Sequence, residues 1–262
     1  MSIIGERIRQ KYRTMSYPDG PAPDLPERWR GEPDFDAAKW RDVPDAGFCP
    51  IGAISLGAAP RLDVGRCVFC GACAEKGPVG GVSFSRRYAM GRFDRAKLVL
   101  GGSGEAVADE AKRERLALIR SLFSRSLKLR QVSAGGCNAC EADCNVLGTL
   151  AWDISRFGIS FVASPRHADG ILVTGPVTPN MLLALRKTYD ATPSPKVVIA
   201  VGACAVSGGI YGDDSGRGVL EKTLPVDLYI PGCPPHPLVI LEGLLRLLGR
   251  IPDLPDDSAE SM

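Results

Sequence analysis

The amino-acid sequence predicts an α/β fold, with an open parallel sheet in the C-terminal half and a smaller α+β domain before it. From about residue 130, short apolar segments alternate with helical segments, which is typical of a parallel sheet with helices on both faces. This arrangement is flavodoxin-like. Strands are predicted at 159–163, 170–174, 196–202 and 226–230, and helices at 138–153, 178–190 and 235–249.

Length and composition limit the class of protein. The 262 residues suffice for one main domain with a smaller one, and the net charge of +2 gives no indication of nucleic acid binding. No apolar segment approaches the roughly 18 residues of a membrane span, and the N-terminus lacks the apolar core of a secretory signal. We therefore expect a cytoplasmic protein, in which cysteine clusters bind metal more often than they form disulfides.

The sequence divides into five segments. They are a Pro-rich arm (1–45), a small cysteine-bearing domain (46–104), a connecting basic helix (105–130), the α/β domain (131–252) and an acidic tail (253–262). The first segment is either a disordered tail or an extended arm that wraps a partner or the next domain, and its aromatic residues favour the arm. The basic helix presents either a solvated face or a docking surface for an acidic or membrane-facing partner.

Four cysteines of the second segment have the spacing of a bacterial ferredoxin. Cys67, Cys70 and Cys73 form C-x2-C-x2-C, and Cys49 precedes a proline as the closing cysteine of an earlier run. In two-cluster ferredoxins the cysteine before the proline ligates the cluster of the other run. We therefore predict one [4Fe–4S] site in a ferredoxin-like fold. A structural zinc at the same four thiols and a metal-free scaffold are the alternatives.

The missing ligands all belong to a second cluster. That cluster would need cysteines at four positions, which are occupied by Lys39, Asp42, Asp45 and Gly77. Random loss of ligands would more often damage both sites. The concentration of the losses on one site therefore favours one intact cluster and one empty position.

A second group of cysteines lies where predicted strands end. Cys137 and Cys140 follow Gly135–Gly136 at a strand-to-helix turn, and Cys204 and Cys233 each follow an apolar segment. Because the carboxyl ends of parallel strands meet at one edge of a sheet, the four thiols are expected to converge there. Glycine allows the backbone to approach a cluster, and backbone N–H groups bonded to its sulfurs tune its potential. The ninth cysteine, Cys144, belongs to neither group of four and is either a substitute ligand or a small buried residue.

Residues 130–250 resemble the small subunit of group 4, energy-converting [NiFe] hydrogenases, including that of formate hydrogenlyase, and are similar to the cluster-bearing subunit of respiratory complex I. The matching stretches are Gly136-Cys-Asn-Ala-Cys-Glu141, 156–170, 173–178, Gly202-Ala-Cys-Ala-Val-Ser-Gly-Gly209 and Pro231-Gly-Cys-Pro-Pro235. Residues 17–100 resemble the polyferredoxin-type subunit of the same complexes. The complex I relatives carry adjacent cysteines where this chain has C-x2-C, which favours the hydrogenase side.

The resemblance implies roles for individual residues. By this resemblance, a proximal [4Fe–4S] cluster would be held by Cys137, Cys140, Cys204 and Cys233. Glu141 matches an acidic residue beside that cluster, and its alternative role is that of an ordinary acid in the first turn of a helix. Arg166 and His167 would tune the cluster or contact the partner, and a loop salt bridge is the alternative.

We therefore expect an electron-transfer subunit with two [4Fe–4S] clusters, peripheral on the inner face of the cell membrane. Its expected partners are a [NiFe]-hydrogenase-type large subunit that carries the active site, the membrane-arm subunits of a complex I-like assembly, and a soluble electron donor or acceptor protein. The sequence contains no catalytic triad, no P-loop and no nickel-ligating cysteine pairs. A complex I-like quinone-reducing subunit and a zinc-stabilised assembly scaffold are the alternative functions.

Overall fold

The structure, a computed structural model, describes residues 2–11, 13–101, 110–211 and 220–254 of the chain. Its strands are β1 Pro33–Phe35, β2 Ile54–Ser55, β3 Arg61–Asp63, β4 Val82–Phe84, β5 Val99–Gly101, β6 Leu127–Ser133, β7 Ile159–Phe161, β8 Gly170–Thr174, β9 Val197–Val201 and β10 Leu228–Ile230. Its α-helices are α1 Ile3–Gln10, α2 Ala72–Lys76, α3 Glu110–Phe123, α4 Ala139–Val146, α5 Pro179–Ala191, α6 Ala203–Ser207 and α7 Pro237–Leu247.

The larger sheet is parallel throughout. Within the described residues its strand order is β10-β9-β8-β6-β7. Every residue of β8 and β9 is buried, as expected for strands covered on both faces. The chain runs from β6 to β7 on one side of it and then crosses to β8 on the other side. The direction in which strands are added therefore reverses between β6 and β8, and this is the topological switch point. The predicted parallel α/β fold is confirmed.

Helices cover both faces of this sheet. One apolar core joins α7 to Leu129 of β6 and Ile199 of β9, and the other joins α5 to Ile171 and Val198 on the opposite face. All of α7 is buried, including a charged pair in which Arg246 Nε donates to Glu242 Oε1 at 2.9 Å. Because a buried charge requires a partner, this pair satisfies both groups. No helix in the described ranges combines the length and apolarity that crossing a bilayer requires.

The N-terminal unit contains short antiparallel strands around its own core. β1 pairs with β4, and β2, β3 and β5 form a second small sheet. Trp40, Ile51 and Leu62 are central to the core. The backbone N–H groups of Arg92 and Tyr229 each donate to the other's carbonyl at 2.9 Å, so this segment extends the edge of the parallel sheet.

Residues 14–17 of the Pro-rich segment pack against the α/β domain. The guanidinium of Arg156 donates to the carbonyls of Met15 and Tyr17 at 2.6 Å, and the Thr14 hydroxyl donates to the Leu150 carbonyl at 2.9 Å. Tyr17 is buried against α7.

Two predicted boundaries are wrong. The sequence predicts the connecting helix over 105–130, but α3 ends at Phe123 and β6 begins at Leu127, because Leu127 and Leu129 are buried on alternate positions as in a strand. The helix predicted over 138–153 ends at Val146, where the chain turns through Gly148. Residues 105–109 of the predicted connecting helix and 255–262 of the predicted acidic tail lie outside the described residues.

Candidate metal centres

Three loops at the carboxyl edge of the parallel sheet carry the second group of cysteines. Cys137 and Cys140 lie between β6 and the first turn of α4, Cys204 lies in α6 after β9, and Cys233 follows β10. Burial is the main cause that raises the pKa of the Cys140 thiol, and Cys204 and Cys233, when ionised, raise it further. Cys137 affects Cys204 in the same way. The segments that follow β6, β9 and β10 thus all carry cysteines at the carboxyl edge of the sheet.

Glycine residues make room for the sulfur atoms. A Cβ atom on Gly202 would lie 2.5 Å from Cys140 Sγ, and one on Gly209 would lie 2.7 Å from Cys204 Sγ. At the switch point, a Cβ atom on Gly175 would lie 2.5 Å from the backbone nitrogen of Gly136. Gly175, Gly202 and Gly209 all have positive φ. Any larger residue would displace either a thiol or the loop that carries it.

Burial keeps the free thiols protonated. It raises the pKa of Cys204 to about 11 and raises those of Cys140 and Cys233 as well. A backbone hydrogen bond from Ile210 opposes this effect at Cys204. Thiols of this kind become thiolates when a metal supplies the compensating charge. A set of four soft thiolate donors with N–H groups nearby fits an iron–sulfur cluster.

Glu141 is buried in the first turn of α4 and bonded to the sheet. The hydroxyl of Thr174, at the end of β8, donates to Glu141 Oε1 at 2.8 Å. Burial is the main cause that raises the pKa of Cys140 and Cys204, and the negative charge of Glu141 raises both further. Thr174 was not identified from the sequence, although a lone hydroxyl at the end of an apolar strand was an available signal.

The other predicted residues lie outside this group. Arg166 and His167 are exposed in a 3-10 turn, Pro165–His167, shortly after β7, and neither forms an ion pair within the described part of the chain. Cys144 is fully buried in the apolar core beside Leu147. His236 is the N-cap residue of α7, and its Nδ1 accepts from the Leu238 N–H at 3.1 Å.

The first group of cysteines lines one small cavity. Cys49, Cys67, Cys70 and Cys73 surround it together with apolar residues, among them Ile54 and Leu62. The N–H of Ala53 donates to Cys49 Sγ at 3.2 Å, and the N–H of Phe69 donates to Cys67 Sγ at 3.3 Å. Burial raises the pKa of Cys67 to about 12, while Cys70 is exposed. These features also fit an iron–sulfur cluster.

Neither group is arranged around a single ion. Across residues 2–11, 13–101, 110–211 and 220–254, no three His, Cys, Asp or Glu side chains are placed to hold one metal ion. A [4Fe–4S] cluster makes a different demand, because each of its four thiolates binds a separate iron.

A cleft is lined both by the loop between Cys67 and Cys70 and by the loop that carries Cys233. It has a volume of about 340 Å³ and is bordered by Phe69 on one side and Cys233 on the other. Arg30 also lines the cleft and donates to the Phe69 carbonyl at 3.3 Å. Arg30 and Trp29, which lines the same cleft, belong to stretches noted in the sequence for the polyferredoxin resemblance and for the extended arm, but neither was assigned to a site, because neither is close to a cysteine along the chain. The cleft is therefore lined by one loop from each cysteine-bearing segment, at residues 68–69 and 232–235.

This geometry defines a class, that of α/β redox subunits with cysteines at the carboxyl edge of a parallel sheet. Residues 137–247 match the model of the family described as NADH ubiquinone oxidoreductase, 20 Kd subunit. A probable membrane-bound hydrogenase subunit of Pyrococcus furiosus is 41% identical over 139 residues, which are 53% of this chain and 83% of the relative. The chain belongs to this family.

Two further relatives come from different complexes. A subunit of the NADH-quinone oxidoreductase of Citrifermentans bemidjiense is 46% identical over 116 residues, 44% of this chain and 68% of that protein. Formate hydrogenlyase subunit 7 of Escherichia coli is 42% identical over 146 residues, 55% of this chain and 56% of that protein. The resemblance to hydrogenase and complex I subunits is confirmed, and these relatives are subunits of oxidoreductases. The cysteines at 49–73 lie outside the family model.

Proposed function

We propose that this chain is an electron-transfer subunit that conducts electrons between two [4Fe–4S] clusters. One would be held by Cys49, Cys67, Cys70 and Cys73, and the other by Cys137, Cys140, Cys204 and Cys233. The clusters would supply one-electron redox chemistry, while the chain supplies ligation, orientation and control of the potential. The second cluster would serve the active site of a [NiFe]-hydrogenase-type large subunit in a membrane-associated complex.

The observation that carries this proposal is the shared cleft. Phe69 lies between two cysteines of the first group, and Cys233 belongs to the second, yet both line the same opening. Arg30 contributes a cation, and no carboxylate of the described residues lines the cleft. One loop from each cysteine-bearing segment lines this cleft, which supports a close approach of the two clusters within a single chain.

The relatives support the kind of complex. Membrane-bound hydrogenase and formate hydrogenlyase are both hydrogenase-type assemblies by name. A quinone-reducing complex is the second candidate, because the NADH-quinone oxidoreductase relative is as similar to this chain as the hydrogenase relatives are. The partner decides between them, since a hydrogenase large subunit must hold nickel.

The test is metal and sulfide analysis of the anaerobically purified native complex. We expect about eight irons and eight sulfides attributable to this chain, and nickel in the partner. The same iron without nickel would favour the quinone-reducing complex. Zinc in place of iron at both sites would overturn the electron-transfer function and leave the assembly scaffold.

Single variants assign the iron to each site. Cys70→Ser and Cys137→Ser should each remove about four irons. Each should also remove a different cluster signal from the electron paramagnetic resonance spectrum of the reduced complex. Full iron content in Cys70→Ser would contradict the assignment of the first site.

A further inference from the structure

We propose that Trp40 occupies the position of a second ferredoxin-type cluster and limits the N-terminal domain to one. The inference rests on the proposed function, because the first cluster defines where its missing counterpart would lie. The second cluster would need ligands from two segments, around 39–45 and at 77. In the structure an aromatic side chain lies between these two segments.

Trp40 joins the two segments directly. Its side chain is fully buried, and its Nε1 donates to the Gly81 carbonyl at 3.1 Å. The neighbouring Lys39 Nζ donates to the Gly80 carbonyl at 3.3 Å. The segment that would supply three ligands is therefore held against the segment that would supply the fourth, with an indole ring between them.

The surroundings of Gly77 leave no space for the side chain of a fourth cysteine ligand. A Cβ atom on Gly77 would lie 2.8 Å from Cη2 of Trp40 and 2.4 Å from the carbonyl oxygen of Cys73. A Cβ atom on Gly81 would lie 2.7 Å from Trp40 Nε1. Both distances to the ring are shorter than a van der Waals contact, so the indole, together with the Cys73 carbonyl oxygen, excludes a cysteine side chain at 77 in this conformation.

Other side chains around Trp40 fill the rest of the space that the second cluster and its ligands would need. The ring of Phe35 stacks on Trp40 with 5.8 Å between centroids, and that of Phe48 lies 6.0 Å away. Asp45 accepts a hydrogen bond from the Gly47 N–H at 2.8 Å, so the residue at this ligand position stabilises a turn instead. An aromatic core thus provides the packing that a cluster and its thiolates provide elsewhere.

The consequence concerns electron transfer. With the second position filled, the N-terminal domain offers an external redox partner only the Cys49–Cys73 site. Cys70 is the exposed member of that site. The partner must therefore approach Cys70 itself, without a more distant cluster as an intermediate.

The test restores the four missing ligands in the full chain. One variant carries Lys39→Cys, Asp42→Cys, Asp45→Cys and Gly77→Cys with Trp40 retained, and a matched variant adds Trp40→Ala. After anaerobic reconstitution we expect about eight irons per chain in the first variant and about twelve in the second. Twelve irons with Trp40 retained, or eight without it, would overturn the inference.

A second measurement does not depend on building a cluster. Trp40→Ala in the natural chain should leave an apolar cavity that binds indole, seen as a higher melting temperature on addition of indole. Trp152→Ala, at a half-buried position, is the control and should show no rescue. Absence of rescue in Trp40→Ala would contradict the assignment. Failure of the proposed function gives a different result, since the natural chain would then lack the eight irons.

Discussion

The backbone of Gly202 approaches the thiol of Cys140 closely, since a Cβ atom on Gly202 would be 2.5 Å from Cys140 Sγ. We expect Gly202→Ala to displace this sulfur and to lower the iron content of the chain from about eight to about four. Gly57→Ala is the matched control, because Gly57 also has a positive φ but no atom lies within 4 Å of its Cβ position. Full iron in Gly202→Ala would show that Cys140 is not a ligand.

Thr174 satisfies the buried carboxylate of Glu141. Thr174→Val keeps the shape of the side chain but removes the donor, so the free energy of unfolding should fall by about 1–3 kcal/mol. Thr174→Ser keeps the hydroxyl and should lose less. Chemical denaturation of the cluster-loaded chain measures both values, and equal losses would show that the hydrogen bond is not the cause.

Arg30 places a positive charge against the loop of the first cysteine group. A Cβ atom on Gly71 would lie 2.8 Å from the Arg30 guanidinium. Because a cation favours the more negative, reduced state of a cluster, Arg30→Gln should lower the midpoint potential of the first cluster by on the order of tens of millivolts. Arg30→Lys should keep most of the potential. Arg186→Gln, exposed on α5, is the control for the loss of one charge.

His236 predicts a dependence of stability on pH. Burial lowers its pKa below the ordinary 6.5. As the pH falls through 6.5, the unfolded chain takes up a proton that the folded chain does not, so the folded state loses stability. His236→Asn retains a capping residue and should flatten the melting temperature between about pH 7.5 and 5.5. His167→Gln, at an exposed position, is the control, and a flattened slope in this variant would contradict the assignment of the effect to His236.

Cys144 should be dispensable for cluster binding. It lies four residues after Cys140 on the same helix but faces the apolar core. We expect Cys144→Ala to retain about eight irons, whereas Cys140→Ala should retain about four. Iron analysis after anaerobic reconstitution compares the two. Loss of iron in Cys144→Ala would show that Cys144 is a substitute ligand, which its position four residues after Cys140 allows.

The sequence by itself determined the parallel sheet and the two groups of cysteines. Strands β8 and β9 are continuous apolar segments, and such segments are stable only when both faces are covered. The glycines beside Cys204 and Cys233 indicated a close approach of the backbone to a ligand. These features are local, so they can be recognised along the chain.

Only the tertiary structure decided which distant groups meet. The helix predicted over 105–130 ends early, because Leu127 and Leu129 pack in the sheet, and this packing outweighs local helix propensity. The contacts of Thr174 with Glu141, of Arg30 with the Phe69 loop and of Trp40 with Gly77 each join residues more than 30 positions apart. Contacts of this kind depend on the folded path of the chain, which residue spacing does not contain.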